Sequence, residues 1–442
     1  MRVGIIGAGP TGLFLAGGLA RRGHAVTVVD RDTGPGADGR WPRRGVMQFH
    51  HAHAFRAPCR TALEAELPGA AARWDEAGAE PTFVTLPDGS RRLMTVLSRR
   101  ETFETALRAA ALAEPGVDFR PGHVDAVLVE DGRAAGLAVD GTTVAADLVL
   151  DAAGRSGRAT AAVRPAPTAG GDCGIAYVDR QYQLRPGAGP GPLTNPMAWQ
   201  ADLDGYQVIL FPHERGIFSV VLLRPTATRA LLGLRHAAAF EAACRAVPGL
   251  DTWTDPERSR PLTDVLPGGR LFNHYRPQTH PDGRLALPGL VLVGDAVGTT
   301  TPNFGRGVTL SLLQAQQLLA LVDEHGRDVD ALGHAFDAWC DARVRPWVED
   351  HAVMDDGLRR RWRGEDVDLD GPLPSDLVMA AAAVDPAIGA AVGPYAAMLA
   401  GPEVLDPVRE RARAVYASGW RPAFDEGPDA AELAAVVAGA LT

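Results

Sequence analysis

The first apolar run of the chain, residues 3–6, has the length of a buried strand and leads directly into a segment rich in glycine. A helical pattern of apolar positions then continues to about residue 22, and a second apolar run, residues 25–29, ends at Asp30. Much later, residues 290–293 form another apolar run, which stops at Gly294 before a long helical pattern begins. Strands that alternate with helices in this way predict a parallel sheet of the α/β class.

The middle of the chain has a different pattern, in which strands follow one another without long helices between them. Residues 175–184, 207–211 and 217–223 are predicted strands, and the turn at residues 213–216 joins the last two as a hairpin. A stretch rich in proline and glycine, residues 164–196, marks the entry to this part. The chain after residue 336 is predicted to be helical.

These patterns predict an α/β fold with a Rossmann-like nucleotide-binding domain, an inserted β-sheet domain and C-terminal helices. The first domain is expected to be discontinuous, with residues 1–166 and 275–350. Residues 167–274 form the inserted sheet, and residues 351–442 form a small helical appendage. A chain of 442 residues is long enough for two or three domains.

Charge and composition narrow the function classes. The net charge of -10 is expected to repel nucleic acid and anionic membranes, so neither is an expected partner. The chain contains no lysine, which excludes Schiff-base chemistry and a P-loop. The four cysteines form no C-x-x-C pair, and the apolar start lacks a cleavage region, so we expect a reduced, cytoplasmic protein.

The glycine-rich segment after the first strand carries the clearest chemistry. Gly7 allows a tight turn, Gly9 lets the backbone approach a pyrophosphate, and Gly12 lets the helix pack closely on the strand. Asp30 follows about twenty residues later, where a ribose hydroxyl needs an acceptor. This motif fits NAD and FAD equally well. The residues predicted to contact such a dinucleotide here are Gly7, Gly9, Pro10, Thr11, Gly12, Asp30 and Arg31.

The segment G-D-A, P-x-x-G-x-G and a long helix, within residues 294–315, resembles the second flavin fingerprint of the p-hydroxybenzoate hydroxylase family, the class A flavin-dependent monooxygenases. The resemblance implies bound FAD, with Asp295 on a ribityl hydroxyl and the amides of Val308 and Thr309 at the N1/O2 edge of the flavin. A helix N-terminus favours negative charge at that edge. Further contacts implied in this segment are Pro302, Gly305 and Gly307.

Two arginine segments also resemble parts of that family, and they imply that Arg44 and Arg100 lie near the cofactor. Val124, at the start of a predicted hairpin, is a further expected contact. His51 and His53 lie between the arginines. No ligand set at metal spacing surrounds them, so the alternatives are an active-site base and a structural role. Tyr177 is a third catalytic candidate. The residues expected to line a substrate pocket are Arg180, Tyr182, Trp199, Phe211 and His213.

The middle motif, residues 151–156, departs from the aromatic hydroxylases because Ala153 stands where those enzymes usually have an acidic residue. The variant is closer to flavin halogenases and related two-component enzymes, although halogenation is disfavoured by the absence of lysine and of a W-x-W-x-I-P motif. No second G-x-G-x-x-G follows a predicted strand, so a separate nicotinamide domain is not expected. NAD(P)H is therefore expected as a transient reductant, which acts either directly or through a separate flavin reductase, and the altered motif weakens the case for direct binding.

The resemblance implies a monooxygenase that inserts one oxygen atom of O2 into a small aromatic or polyunsaturated molecule, by hydroxylation or epoxidation, through a C4a-hydroperoxyflavin. One alternative is a reductase or dehydrogenase of the geranylgeranyl reductase kind, which shares both flavin motifs. Another is a binding protein without chemistry, such as the GDP-dissociation inhibitors. The intact glycines and Asp295 argue against the second alternative.

Overall fold

The structure is a computed structural model that describes residues 1–43, 45–86 and 88–442. Its strands, in chain order, are β1 (Arg2–Ile6), β2 (Ala25–Asp30), β3 (Phe55–Arg56), β4 (Glu80–Thr85), β5 (Arg91–Leu97), β6 (Val117–Pro121), β7 (Val124–Glu130), β8 (Arg133–Val139), β9 (Thr142–Ala145), β10 (Leu148–Asp151), β11 (Ala169–Asp172), β12 (Ile175–Leu184), β13 (Trp199–Leu203), β14 (Tyr206–Pro212), β15 (Ile217–Pro225), β16 (Ser259–Pro261), β17 (Leu266–Gly268), β18 (Phe272–Tyr275), β19 (Leu290–Leu292) and β20 (Gly298–Thr299).

The α-helices of the same described residues are, in chain order, α1 (Pro10–Arg21), α2 (Ala57–Glu66), α3 (Pro68–Glu76), α4 (Arg100–Ala111), α5 (Ala237–Ala246), α6 (Leu250–Thr254), α7 (Gly307–His325), α8 (Val329–Arg343), α9 (Arg345–Trp362), α10 (Ser375–Ala381), α11 (Gly389–Ala396), α12 (Asp406–Ala417) and α13 (Ala430–Gly439). None of them is long and apolar enough to cross a membrane.

The first sheet is parallel and has the strand order β19, β10, β1, β2 and β6. Its members are buried apolar runs because helices cover the sheet, as in α/β folds. The helices α1 and α7 pack against each other, and Leu319 of α7 lies where a side chain at Gly18 of α1 would be. The carboxyl ends of β1, β10 and β19 meet at one edge, where a ligand is expected in such sheets.

The middle sheet has the order β13, β14, β15, β12 and β16, with β17 also paired to β12. All these pairs are antiparallel. One face carries a core formed with α5, α6 and α13, which includes Tyr182, Phe218 and Trp253. The opposite face contains Tyr177, Ile209 and Leu223 and packs towards α9. Both faces of this sheet are therefore covered.

The predicted fold class is confirmed, with a Rossmann-like parallel sheet, separate antiparallel sheets and C-terminal helices. Helices α10, α11 and α12 pack near α9, whereas α13 returns to the middle sheet and buries Leu433 and Val437 there. A capping box at Asp429 begins α13: its carboxylate accepts from the amides of Ala431 and Glu432. The domain boundaries themselves stay a prediction.

Candidate functional site

The loop between β1 and α1 is shaped by its glycines. Gly7 has a φ of 99°, and a Cβ atom at Gly12 would lie 2.0 Å from the Gly7 carbonyl oxygen, so only glycine fits at Gly12. Space remains open beside Gly9, where the nearest atom to an added Cβ is Nη2 of Arg43 at 3.9 Å. Among the described residues, no side chain caps the N-terminus of α1, which begins at Pro10. The amides at this helix end are therefore available to an anion.

Asp30 ends β2 beside this loop. Its Oδ2 accepts a hydrogen bond from the Ala8 amide at 2.7 Å, and its Oδ1 accepts from the Asp32 amide at 2.9 Å. These bonds fix the carboxylate, which retains lone pairs for a hydroxyl donor. Asp30 lines a large cavity, and Arg31 and Val124 lie on the wall of that cavity too.

Three charged side chains form a buried cluster behind the glycine loop. Glu104 of α4 is fully buried and lies 3.0 Å from Nε of Arg43 and 2.5 Å from Nε of Arg100. Arg43 also donates to the Ala8 carbonyl oxygen at 3.2 Å. Arg100 is one of the cofactor contacts predicted from the sequence. Arg43 was not predicted, because the motif pointed to its neighbour Arg44 instead. Arg44 lies outside the described residues.

The segment after β19 forms the second half of the candidate cofactor site. Gly294 and Asp295 lie in a single helical turn, and Ser311 of α7 hydrogen-bonds the Asp295 carboxylate. Burial raises the pKa of Asp295, and the Arg100 guanidinium opposes that rise. Gly307 begins α7, where no described side chain caps the helix, and a Cβ atom at Gly307 would meet no described atom within 4 Å.

A cavity of about 610 Å³ joins these parts. It reaches from the glycine loop past Asp295 to the middle sheet, so the predicted contacts are brought together although they are about 290 residues apart in sequence. The predicted cofactor residues on its wall are Gly7, Gly9, Pro10, Thr11, Asp30, Arg31, Arg100, Val124, Asp295, Pro302, Gly305, Gly307 and Val308.

Two predicted contacts do not line the cavity. Gly12 lies behind the loop, where it allows the close packing described above. Thr309 is fully buried within α7, and its hydroxyl accepts a hydrogen bond from the Arg56 amide at 3.2 Å. Their roles in the described structure are to position the loop and the helix.

The half of the cavity farthest from the glycine loop is lined by the middle sheet. Its wall is mainly apolar, and Tyr177 and Asp179 provide polar groups from β12. Asp179 has no exposed surface, and burial raises its pKa to about 8. Sequence reasoning missed Asp179. The apolar wall residues of this half include Ile209, Phe211, Val221, Leu223 and Leu271.

The two histidine candidates differ in their surroundings. His53 lines the cavity, with Nδ1 2.9 Å from the His51 carbonyl oxygen and Nε2 3.3 Å from Nη1 of Arg100. Because arginine only donates, Nε2 accepts and Nδ1 carries the proton. Burial lowers the pKa of His53 well below its usual range. The His53 ring therefore helps to fix the position of Arg100. Within the described structure both of its ring nitrogens already have hydrogen-bond partners, so neither is available to a substrate.

His51 is buried behind the cavity wall and packs its ring edge-on against Tyr177, with ring centres 5.2 Å apart. Its Nδ1 is 3.9 Å from Oδ2 of Asp179, beyond hydrogen-bond range. Burial, with His50 and Arg100 as further causes, lowers the pKa of His51 to about 4, so the ring is neutral near pH 7. The described residues include no group of three or more potential ligands arranged to hold a metal.

Four predicted substrate residues do not face the cavity, and these predictions need correction. Arg180 and Tyr182 both donate to Glu241 of α5 at 2.7 Å, on the opposite face of β12. Successive side chains of a strand alternate between faces, so Tyr177 and Asp179 share the cavity face instead. Trp199 belongs to the core beneath α5. His213 is buried, with Nε2 2.8 Å from the Ser219 hydroxyl.

Asp151, at the end of β10, is a further wall residue that sequence reasoning did not select. It is fully buried, is paired with Arg164 at 2.6 Å and also accepts from the Thr160 hydroxyl. The neighbouring Ala153 lines the cavity and gives it no charge at that point.

The comparisons with known proteins agree with this geometry. The family model described as an NAD(P)-binding Rossmann-like domain matches residues 5–62. Over 58 residues the chain is 41% identical to D-amino acid dehydrogenases of Allorhizobium ampelinum and Rhizobium rhizogenes. That match covers 13% of this chain and only 14% of each of those curated relatives, so the similarity concerns a short segment and not the whole proteins.

Solved structures match nearly the whole chain. The flavin-dependent brominase Bmp2 superposes with a TM-score of 0.58 and 15% identity, over 88% of this chain and 100% of that one. PqsL of Pseudomonas aeruginosa, a probable FAD-dependent monooxygenase, gives 0.57 and 18%, over 82% and 98%. The fold is that of flavin-dependent monooxygenases. A third match is 2-methyl-3-hydroxypyridine-5-carboxylic acid oxygenase, with a TM-score of 0.56 and 17% identity, over 81% of this chain and 91% of that one. The resemblance drawn from the sequence motifs is thus confirmed at the level of the fold.

Proposed function

We propose that the chain is a FAD-dependent monooxygenase that inserts one oxygen atom of O2 into a small aromatic or polyunsaturated molecule. One observation carries this proposal: a single cavity joins the glycine loop, the Asp295 turn and the apolar face of the middle sheet. A dinucleotide reaching from Gly9 to Asp295 fits that span, and an organic substrate fits the apolar end.

The residues around the cavity fit FAD. The uncapped start of α1 and the open side of Gly9 suit a pyrophosphate, and Asp30 suits a ribose hydroxyl. Asp295 suits a ribityl hydroxyl, and the uncapped start of α7 at Gly307 favours negative charge on the flavin ring. Bound FAD would supply electron storage and the activation of O2.

The protein's own contribution is to hold and shield the reacting groups. The apolar wall from β14 and β15 excludes water from the substrate half, which strengthens any hydrogen bond made there. Arg100, fixed by Glu104 and His53, contributes a positive charge to the same cavity. The solved neighbours, which include a flavin-dependent brominase and a probable FAD-dependent monooxygenase, support flavin chemistry in this fold. Halogenation is disfavoured because the chain has no lysine.

The decisive experiment is to purify the protein and identify what it binds. We expect a yellow protein that releases FAD on heat denaturation, since no covalent attachment motif accompanies the two flavin motifs. Release of FMN, or of no flavin after reconstitution with FAD, would remove the basis of the proposal. Uptake of O2 with NAD(P)H and an aromatic substrate, with the products identified by mass spectrometry, then separates a monooxygenase from a reductase.

The source of electrons is a second part of the proposal. We expect NADH or NADPH to reduce the flavin directly, because docking of a nicotinamide needs no dedicated domain in such enzymes. Ala153 in the altered middle motif favours the other possibility, a separate flavin reductase. Anaerobic stopped-flow mixing decides between them: bleaching of the flavin that is faster than turnover supports direct reduction, and slower bleaching that an added reductase restores supports a partner.

A further inference from the structure

Asp179 is a buried carboxyl group at the wall of the substrate half of the cavity, and among the described residues only the neutral His51 comes within 4 Å as an ion-pair partner. It lies in the middle of β12, where its partners in the adjacent strands are Val221 of β15 and Leu266 of β17. Both neighbours are apolar, and the Asp179 side chain has no exposed surface. Burying a carboxyl group in such surroundings is costly, so its hydrogen-bond partners decide what it can do.

Only one of its two oxygens is used by the described residues. The Ala52 amide donates to Oδ2, which fixes the orientation of the group. Oδ1 is buried and has no hydrogen-bond partner in the described structure. No arginine of the described residues forms an ion pair with Asp179. A buried carboxyl oxygen that is left without a partner is the type of group that a ligand satisfies, and once the group is ionised this oxygen accepts from an O–H or N–H.

The other polar groups near Asp179 do not compete for this role. His51 and His53 approach from the loop before β3, and both are kept neutral by burial. His53 uses both ring nitrogens, and Arg100 of α4 is paired with Glu104. On β12, burial raises the pKa of the Tyr177 hydroxyl, which therefore remains protonated. Gln181, the next residue on that face, donates to the His50 carbonyl oxygen at 2.8 Å.

We infer that Asp179 binds the acidic O–H or N–H group of an aromatic substrate and accepts its proton. The inference rests on the proposed function and specifies its substrate class. In the step, the O–H or N–H bond of the substrate breaks, its electron pair stays on the substrate, and a new O–H bond forms at Oδ1 of Asp179. No electrons are transferred to or from the protein. The ring becomes more electron-rich, which favours attack on an electrophilic oxygen atom.

The apolar wall agrees with an aromatic substrate. Phe211 and Tyr177 contribute rings to the same half of the cavity, and Ile209, Val221 and Leu223 contribute aliphatic surface. A planar ring packed on these groups would point its one acidic donor at Asp179. A pKa near 8 suits a base that must act on a weakly acidic phenol or heteroaromatic N–H near neutral pH.

The test compares probes that differ by a single acidic hydrogen. Isothermal titration calorimetry on the FAD-loaded protein measures the affinity of 4-ethylphenol against 4-ethylanisole, and of 2-pyridone against 1-methyl-2-pyridone, at several pH values from 6 to 9. We expect at least one acidic probe to bind about tenfold or more tightly than its methylated partner. We also expect that preference to increase with pH through about 8, because the carboxylate is the better acceptor.

Two variants test whether the preference for the acidic probe depends on Asp179. Asp179→Asn should abolish the pH-dependent part of the preference, since an amide does not titrate. Arg180→Gln is the matched control on the same strand, with its side chain on the opposite face, and it should keep the wild-type preference. If Asp179→Asn does not fold, the wild-type pH series alone still decides.

Each outcome separates this inference from the proposed function. A preference for 4-ethylphenol over its methyl ether assigns an O–H substrate, and a preference for 2-pyridone over its N-methyl form assigns an N–H substrate. Equal affinity for both members of each pair at every pH overturns the role of Asp179, even if the protein binds FAD and consumes O2. Failure to bind FAD overturns the proposed function, and the same probe titrations on the flavin-free protein then test the role of Asp179 separately.

Discussion

The side chain of Gln314 accepts a hydrogen bond from the backbone amide of Gly294, with 2.9 Å between Oε1 and N. Gln314 is fully buried in α7, and Gly294 begins the turn that carries Asp295. A Cβ atom at Gly294 would also lie 2.7 Å from the Thr11 hydroxyl oxygen of α1. The Asp295 carboxylate, the start of α7 and the glycine loop are therefore held in one fixed arrangement.

Replacing Asp295 with alanine should weaken FAD binding by about ten- to a hundredfold, because one charge-assisted hydrogen bond is lost. Flavin-fluorescence titration of the apoprotein measures the change. Asp282→Ala, which removes an exposed carboxylate in a surface turn, is the control and should leave the affinity unchanged. Equal FAD affinity in Asp295→Ala and the wild type would show that Asp295 does not contact the cofactor.

Gly12→Ala should destabilise the protein by about 1–3 kcal/mol or more and should also weaken FAD binding, because the new methyl group would overlap the Gly7 carbonyl oxygen. Gly69→Ala is the matched control. Gly69 lies in α3 with nothing within 4 Å of an added Cβ, so alanine there should be neutral or slightly stabilising. Thermal unfolding of the two variants measures the contrast, and similar melting temperatures would argue against the tight packing of the loop.

The stability of Asp179→Asn relative to the wild type should depend on pH. The pKa of Asp179 is raised from 3.8 to about 8 in the folded protein, so between these values the folded state holds a proton that the unfolded state has released. This carboxyl group therefore lowers wild-type stability as pH rises from about 4 to about 8, with a slope of about 1.4 kcal/mol per pH unit in mid-window.

The asparagine variant lacks this titration. Its melting temperature should therefore increase relative to the wild type from pH 5 to pH 8, whatever the difference at pH 5. Scanning calorimetry at intermediate pH values gives the comparison. A constant difference across that range would mean that the carboxyl group is not buried in the folded protein.

Leu433→Ala should destabilise the protein by about 2–5 kcal/mol, because Leu433 anchors α13 to the core of the middle sheet and has no exposed surface. The control is Leu441→Ala in the same terminal segment, where the side chain is 49% exposed. Urea unfolding followed by circular dichroism compares the two. Equal midpoints would show that α13 contributes little to this core.

The elements around the glycine loop could be predicted because their signals are local. The apolar runs at residues 3–6 and 25–29 are followed by Gly7 and Asp30, which mark the ends of the strands. As a result, β1, α1 and β2 lie within one residue of the expected limits. Gly294 and Asp295 were found for the same reason. The association of α13 with the middle sheet carries no comparable signal, since it depends on a contact between segments nearly two hundred residues apart.

By itself, the sequence determined the Rossmann-like strand, loop and helix, the second motif at Asp295 and the hairpin of the middle sheet. The tertiary structure decided which face of β12 meets the cavity. Both faces of that strand are covered, so its buried positions, which include Tyr177, Asp179 and Tyr182, do not alternate between apolar and polar residues. Asp179 faces the cavity, whereas Arg180 and Tyr182 face α5. Without an apolar and polar alternation, the sequence pattern could not show which of these residues point to the cavity. Only the packing of whole elements decides which face of the strand meets the cavity.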